Sequence, residues 1–305
     1  MIYLLLSVIS TAMLVLAFKI FDRRQMPVFQ AIVFNYISAT LCAFVFLPDK
    51  QAVLSGHIFA EPWVPFALFL GSMFIGVFNL TAITTGFYGV STASVAMKLG
   101  LVFPVLLAFT VYGEPFDWMK LAGIVFAFAA VILCSVKEDG DPVDTDNLSD
   151  NMNKAAHHSS FAILPFIVFI GSGACDSLTQ FANKKYVSAE GMEGFSFFLF
   201  ATTAVIGMAI FIYQLARGKA KFHSGSLAGG VLLGIANYFS FLFLLKALAT
   251  VPWGSSVVFP VSNLGTVALA TLAGIVFFKE KISKLNMLGL AFAAVSIGLI
   301  VWGSV

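Results

Sequence analysis

The chain has 305 residues, of which 60% are apolar and only 10% are charged, with a formal net charge of +2. Soluble domains carry roughly a quarter charged residues, and the mean hydropathy here is +0.97. This composition excludes an ordinary soluble domain, and the small net charge gives no reason to expect nucleic acid as a partner.

The apolar residues come in blocks of about 20, the length that crosses about 30 Å of hydrocarbon as an α-helix. Lipid cannot hydrogen-bond the backbone, so these blocks are predicted to be helices. Five spans are predicted in the first half, at residues 2–18, 28–47, 64–85, 91–112 and 118–136. Five more are predicted at residues 161–183, 195–215, 227–249, 255–278 and 285–302. The predicted fold is all-α and integral to the membrane, with ten transmembrane helices.

Residues 137–160 separate the two sets of spans and contain almost nothing to bury. Acidic residues dominate this stretch, which is typical of a solvated linker. Its spacing lacks the central Gly and the terminal Glu of an EF-hand loop, so no metal site is predicted. The predicted organisation is a first repeat over 1–136, an acidic linker over 137–160 and a second repeat over 161–305.

The two halves share sequence features at constant offsets. Glu114 and Gly123 align with Glu280 and Gly289, 166 positions later. In the third spans, Gly76-Val77-Phe78-Asn79 matches Gly234-Ile235-Ala236-Asn237. We interpret these matches as an internal duplication. Because each copy has an odd number of spans, the second copy must enter the membrane from the opposite side, which predicts two inverted five-helix repeats.

The chain resembles the drug/metabolite transporter superfamily, specifically its ten-span EamA-type branch. The resemblance covers essentially the whole chain and depends on the five-plus-five architecture and on the fourth-to-fifth span signatures. These are Pro104, Gly113-Glu114 and Gly123 in the first half, and Lys279-Glu280 and Gly289 in the second. The resemblance implies a secondary transporter of small metabolites, with a central cavity between the halves and alternating access.

Two charged side chains are predicted well inside spans, where charge is costly and suggests function. Lys98 lies in the middle of the fourth span and would hold a carboxylate or phosphate of the substrate, or form a structural ion pair. Asp176 lies in the sixth span, with Gln180 one turn later. A carboxylate removed from water could exchange protons, so Asp176 is the proton-coupling candidate; alternatively it neutralises Lys98. In the repeat alignment, Thr11 stands opposite Asp176.

Amides and phenols in lipid also need partners. Asn79 and Asn237 occupy equivalent places in the third and eighth spans, and Tyr238 follows Asn237. Hydrogen bonding between helices competes with substrate contact as their role. Asn35 and Asn263 are similar candidates. Glu114 and Glu280 lie at the interface and are interpreted as caps or ion-pair anchors.

Small residues at helix-packing spacing, as in Gly230-x-x-x-Gly234, allow two backbones to approach closely. Such contacts can form within one chain or between two copies, so a homodimer is one possible assembly.

Basic residues are distributed unevenly between the two sides of the predicted bundle. The loops after odd-numbered spans hold eleven: Lys19, Arg23, Arg24, Lys137, Lys154, Arg217, Lys219, Lys221, Lys279, Lys281 and Lys284. The other side holds four: Lys50, Lys120, Lys184 and Lys185. The positive-inside rule places the first set in the cytoplasm and both termini outside, whereas members of the resembled family more often have both termini inside.

The sequence therefore predicts a secondary transporter of a small polar or amphipathic metabolite, amino acid-like or an organic anion, in a bacterial cytoplasmic membrane. Its substrate would bind between the halves near Lys98, Asn79, Asp176, Gln180, Asn237 and Tyr238. No P-loop signature or cofactor motif is present, and no nucleophile-and-base arrangement suggests an enzyme. The alternatives are a membrane-embedded enzyme acting on a lipid-linked substrate and a scaffold or receptor that transports nothing.

Overall fold

The computed structural model describes residues 1–23, 26–114, 117–135, 163–252, 254–278 and 284–302. All regular secondary structure in these ranges is helical, as the apolar blocks predict. The acidic linker and Glu280 lie outside the described residues.

Eleven α-helices are numbered here in chain order within the described ranges. The first six are α1 (Ile2–Arg23), α2 (Val28–Val45), α3 (Lys50–Leu54), α4 (Val64–Leu99), α5 (Val102–Thr110) and α6 (Trp118–Ser135). The others are α7 (Leu164–Lys185), α8 (Met192–Ala216), α9 (Ser224–Thr250), α10 (Ser255–Phe278) and α11 (Lys284–Trp302). A 3-10 helix, His57–Ala60, lies between α3 and α4.

Ten apolar helical segments correspond to the ten predicted spans. Six are long and apolar enough to cross a membrane: Val28–Val45, Val64–Thr81, Leu164–Lys185, Met192–Ala216, Ser224–Thr250 and Ser255–Phe277. Four are shorter: Ile2–Ala17, Ala96–Thr110, Trp118–Leu133 and Met287–Ile300. Their outer surfaces carry exposed apolar side chains such as Val205 and Leu232, at 70% and 71% exposure. This is a multi-pass membrane protein, because a surface this apolar is covered by lipid.

The predicted third and fourth spans are joined, because helical backbone replaces the loop expected near residues 86–90. The joined helix α4 is nevertheless not straight. Gly171 of α7 lies against Val77, while the hydroxyl of the next residue, Ser172, donates to the Met97 carbonyl at 3.1 Å. A straight helix would separate residues 77 and 97 by about 30 Å. The helix therefore turns back on itself, and Val64–Thr81 and Ala96–Thr110 form an outgoing arm and a return arm.

Helices of the two halves interleave. Helix α9 packs on α1 and α2, and the outgoing arm of α4 packs on α7 and α8. Helix α1 contacts α10, while α5 contacts α7. Four further pairs join the halves, namely α2 with α8, α5 with α10, α6 with α11 and α6 with α10. Most of the packing is therefore between the halves rather than within them.

Small residues set the closest of these contacts. A Cβ added at Gly230 would lie 2.6 Å from the Ala31 carbonyl oxygen, and Gly234 lies equally close to Asn35 and Ser38. The expectation that Gly230-x-x-x-Gly234 permits close backbone approach is confirmed, and the partner is α2 of the same chain. Next to this contact, the large aromatic residues Tyr36 and Tyr238 are buried in the main core.

Helices α6 and α11 pack along a second tight line. A Cβ at Gly123 would lie 2.5 Å from Cγ1 of Ile300, and the Ser296 hydroxyl donates to the Gly123 carbonyl at 2.6 Å. The rings of Phe126 and Phe292 meet edge to face at 5.3 Å. Phe126 and Phe292 are 166 positions apart, so residues that correspond in the two halves contact each other here.

We expect Gly123→Leu to destabilise the protein by about 3 kcal/mol, because overpacking a close helix contact forces backbone movement. Thermal unfolding in detergent measures this loss. Gly298→Leu is the matched control, since nothing lies within 4 Å of a Cβ at that position of α11. Equal losses for the two variants would show that the α6–α11 contact is not close packed.

Candidate functional site

A cavity of about 220 Å³ lies at the middle of the helix bundle. Helices from both halves form its wall, because α1, α2 and the outgoing arm of α4 face α7, α8, α9 and α10 across it. The first half contributes Ser7, Thr11, Tyr36, Phe74 and Phe78. The second half contributes Asp176, Thr179, Phe200, Asn237, Ser240, Phe241, Leu244, Phe259, Ser262, Asn263 and Thr266.

One side of the cavity is aromatic. Tyr36 meets Phe78 and Phe200 at ring distances of 5.8 and 6.1 Å, and Phe241 meets Phe74 and Phe200 at 6.1 and 5.5 Å. These rings support one another, which keeps their faces in place. They offer a ligand an apolar surface and favourable contacts for a cation.

The other side is polar and is organised around Ser240 of α9. The hydroxyls of Thr11 and Ser240 are 2.6 Å apart, and the Ser7 hydroxyl donates to the Ser240 carbonyl at 3.1 Å. These bonds tie α1 of the first half to α9 of the second. Asn237 lies one turn before Ser240 on the same helix, so its amide faces the same cavity.

Among the described residues that line the cavity, Asp176 is the only one with a charged side chain. Lys98 lies close enough to interact electrostatically with it, but the two described side chains form no direct ion pair. Instead, the Lys98 Nζ donates to the Oδ1 of Asn263 at 2.9 Å. Asn263 itself lines the cavity, so it lies between the cation and the cavity space. Asp176 therefore lines the cavity directly, whereas Lys98 lies behind Asn263 on a different helix.

Besides Lys98, which lies behind Asn263, three residues predicted to contact substrate do not line the cavity. The Asn79 amide donates to the Ile75 carbonyl of its own helix at 2.8 Å. Gln180 is buried and donates to the Ser255 hydroxyl. Tyr238 is fully buried, stacks on Phe46 at 5.8 Å, and its hydroxyl has no hydrogen-bond partner among the described residues. None of the three is among the residues that line the cavity.

Glu114 is at the centre of a second polar cluster, which lies near the helix ends. Its carboxylate accepts bonds from the backbone N–H and the hydroxyl of Ser255, at 2.9 and 2.7 Å, and from those of Ser256, at 3.0 and 2.6 Å. Lys184 forms an ion pair with it at 2.9 Å. Gly254 has a φ of +81°, and its lack of a Cβ leaves the space that the Glu114 carboxylate occupies. Glu114 therefore caps α10 across the boundary between the halves.

The structure describes some, but not all, of the other residues of the repeat signature. Gly123 and its repeat equivalent Gly289 are both buried, whereas Glu280 lies outside the described residues. Within the described ranges, no group of three or more His, Cys, Asp or Glu side chains could hold a metal ion.

Sequence reasoning did not identify most of the cavity wall. The sequence did contain a signal for the face of α9 that lines the cavity, because Ser240, Phe241 and Leu244 follow Asn237 at helical spacing. Thr11 was also marked by its alignment with Asp176, and both line the cavity. The aromatic residues gave no signal, because the chain contains 34 Phe and the sequence does not separate those that line the cavity from exposed ones such as Phe69, Phe166 and Phe277.

A helical membrane protein with a polar-and-aromatic cavity between two helical halves has the architecture expected of a carrier of small molecules. Residues 1–136 match the sequence model of the EamA-like transporter family. This match confirms the resemblance to the EamA branch over residues 1–136. The match to a transporter family is consistent with a protein that is not an enzyme.

Two further comparisons extend over nearly the whole chain. An uncharacterized protein of Haemophilus influenzae is 29% identical over 293 residues, covering 95% of this chain and 94% of the relative. A solved crystal structure matches with a TM-score of 0.66 at 14% identity, covering 99% of this chain and 94% of that chain. At this identity the structural match shows the fold alone.

The Glu114 cluster predicts a pH-dependent stability. Burial by itself would raise the pKa of this carboxyl, but the bonds from Ser256, Lys184 and Ser255 outweigh burial and lower the pKa from 4.5 to about 2. The contribution to stability is therefore complete above the ordinary pKa and is lost as the pH falls through about 2. A pKa lowered this far contributes about 3 kcal/mol at neutral pH.

We expect Glu114→Gln to lower the unfolding temperature in detergent at pH 7 and to have progressively less effect between pH 4.5 and pH 2. Measuring both proteins across this range tests the assignment. A difference that stays constant down to pH 2 would show that the Glu114 charge does not cause the effect.

Proposed function

We propose that this chain is a secondary transporter that moves a small amphipathic metabolite across a bacterial cytoplasmic membrane by alternating access. The observation that carries the proposal is the cavity itself. Its wall is shared by both halves, it lies at mid-span, and it combines a carboxylate, an amide cluster and aromatic rings. Transporters of inverted-repeat architecture bind substrate in such a place.

The pattern of helix contacts supports inverted repeats. In span order, the counterparts in the two halves are α1 and α7, α2 and α8, α4 and α9, α5 and α10, and α6 and α11. Exchanging each helix for its counterpart converts the α1–α9 contact into the α7–α4 contact. The same exchange converts α2 with α9 into α8 with α4, and α1 with α10 into α7 with α5. The pairs α2–α8, α5–α10 and α6–α11 convert into themselves. A two-fold relation between residues 1–136 and 161–305 accounts for all six relations, and five spans per half make that relation an inversion.

The charges in the site favour an amino acid-like substrate over a simple organic anion. Asp176 in the cavity wall would repel an anion but can accept hydrogen bonds from an ammonium group. Lys98, reached past Asn263, can hold a carboxylate at the other end of the same molecule. The aromatic rings can cover its apolar part. Asp176 is also the candidate for proton coupling, because a substrate ammonium and a proton would compete for the same carboxylate.

The basic-residue count assigns the ends of the helices to the two sides of the membrane. The end that carries Glu114, Lys184 and the N-terminus would face outward, and the end that carries Arg217 and Lys219 would face the cytoplasm.

Asn237 and Asn79 provide a matched pair, because they are repeat equivalents and only Asn237 lines the cavity. We expect Asn237→Ala to weaken substrate binding about tenfold, the value of one lost hydrogen bond. Asn79→Ala should leave binding unchanged. A thermal-shift screen with amino acids, sugars, nucleobases and organic acids identifies a ligand, and titration of that ligand measures the affinity of each variant. Equal effects of the two substitutions would contradict the location of the site.

Asp176→Asn tests coupling. In proteoliposomes, flux of the screened ligand through the wild-type protein should increase with an imposed pH gradient. We expect Asp176→Asn to remove that dependence, because an amide does not exchange protons in this range. Persistent dependence would exclude Asp176 as the coupling group. Absence of any saturable flux through the wild-type protein would contradict the transporter proposal itself.

A further inference from the structure

Glu114 and its partners form a cluster that we call the clasp: Glu114, Lys184, Ser255, Ser256 and Gln180. Glu114 belongs to the first half, while every partner belongs to the second. Four hydrogen bonds and one ion pair converge on one carboxylate, whose side chain is only 10% exposed. The clasp therefore joins the halves at the end of the bundle where α5 and α7 end and α10 begins.

The clasp is directly connected to the cavity through two helices. On α7, Asp176, Gln180 and Lys184 follow one another at intervals of four residues and so lie along one stripe. Asp176 lines the cavity, Gln180 bonds Ser255, and Lys184 pairs with Glu114. On α10, Phe259 lies one turn beyond Ser255 and lines the cavity. Movement of either helix at the clasp therefore moves cavity-lining side chains.

The start of α10 is also separated from the rest of that helix. Pro260 lies inside the helix and has no N–H to donate to the carbonyl four residues earlier, which belongs to Ser256. The turn that Glu114 holds thus lacks one of the bonds that would tie it to the following turn. Proline inside a helix is a common cause of bending.

The opposite end of the bundle is joined differently. Among the described residues, the links between the halves there are neutral and longer. The Gln30 side chain donates to the His223 carbonyl at 3.4 Å and accepts from the His223 N–H at 3.1 Å. The Ser226 hydroxyl donates to the Pro27 carbonyl at 3.3 Å. The ion pair between the halves that the structure describes is at the clasp end.

We propose that Glu114 is a gating residue. Its bonds to the first turn of α10 and to Lys184 hold the clasp end of the cavity closed, and the cavity opens to that side when these bonds break. The gate rests on the proposed alternating access, but it is tested without any substrate. Failure of the gate is therefore distinguishable from absence of transport.

The test measures access to the cavity from each side of the membrane. Cys42, Cys134 and Cys175 are replaced by alanine, and Ser262→Cys introduces one thiol in the cavity wall. The protein is placed in sealed vesicles in each of the two orientations, and labelling by a membrane-impermeant maleimide is timed. We expect Glu114→Gln to increase the labelling rate about tenfold from the clasp side and to decrease it from the opposite side.

Glu193→Gln is the matched control. Glu193 pairs with Lys246 at 2.9 Å at the same end of the bundle, and its side chain is 12% exposed, but both partners belong to the second half. Its substitution should leave labelling from both sides unchanged. Equal rate changes for the two variants would contradict a role specific to the link between halves.

The direction of change separates gating from general loosening. A rate that increases from both sides after Glu114→Gln would indicate a loosened fold and would overturn the proposal, as would unchanged rates. If Glu114→Gln does not yield folded protein, Ser255→Ala with Ser256→Ala removes two donors and keeps the ion pair. That double variant should change both rates in the same directions by a smaller factor, and unchanged rates would again overturn the gate.

Discussion

Hydrocarbon offers no hydrogen-bond partner, and this constraint organises every polar group in the protein. Many hydroxyls satisfy it locally, as Thr40 and Thr84 do by donating to the carbonyls four residues earlier, at 2.7 Å in both cases. Groups that cannot do so must meet groups from other helices. Such bonds join the halves at several points, and the cavity and the clasp are the two that contain an acidic side chain, Asp176 and Glu114, respectively.

The two halves satisfy the same constraint in different ways. Asn79 bonds its own helix, whereas its equivalent Asn237 faces the cavity. Thr11 bonds Ser240, whereas its equivalent Asp176 supplies the charge in the cavity wall. The polar chemistry of the cavity is therefore concentrated in the second half. A substrate bound there would meet unlike surfaces on its two sides, which gives the site a preferred orientation for an asymmetric molecule.

In the proposed mechanism, the stripe on α7 connects the substrate site with the gate. A helix transmits displacement along its axis because its backbone bonds keep the rise per residue constant. Asp176 and Lys184 are about 12 Å apart on that basis, so occupancy at one end is felt at the other without a relay of loops. The buried amide of Gln180, bonded to Ser255, lies between them. A role between cavity and clasp explains why this residue is polar although it does not line the cavity.

The sequence by itself determined the number of spans, the all-helical fold and the presence of a few costly polar residues at depth. It could do so because membrane thickness and the lack of partners in lipid act on composition and length alone. That reasoning marked Asp176 and Asn237, which line the cavity, and Lys98, which lies behind Asn263. It also marked Gln180 and Tyr238, because a polar residue facing protein and one facing a cavity look the same in a sequence.

Only the tertiary structure decided which side chains share a cavity, since this depends on how each helix is rotated and on where α4 turns back. Tyr36 and Phe78 could not be separated from lipid-facing aromatic residues by pattern. The partner of Glu114 was equally undetermined, because Ser255 and Ser256 are more than 140 positions away. Helix packing, which depends on shape and not on hydropathy, brings these groups together.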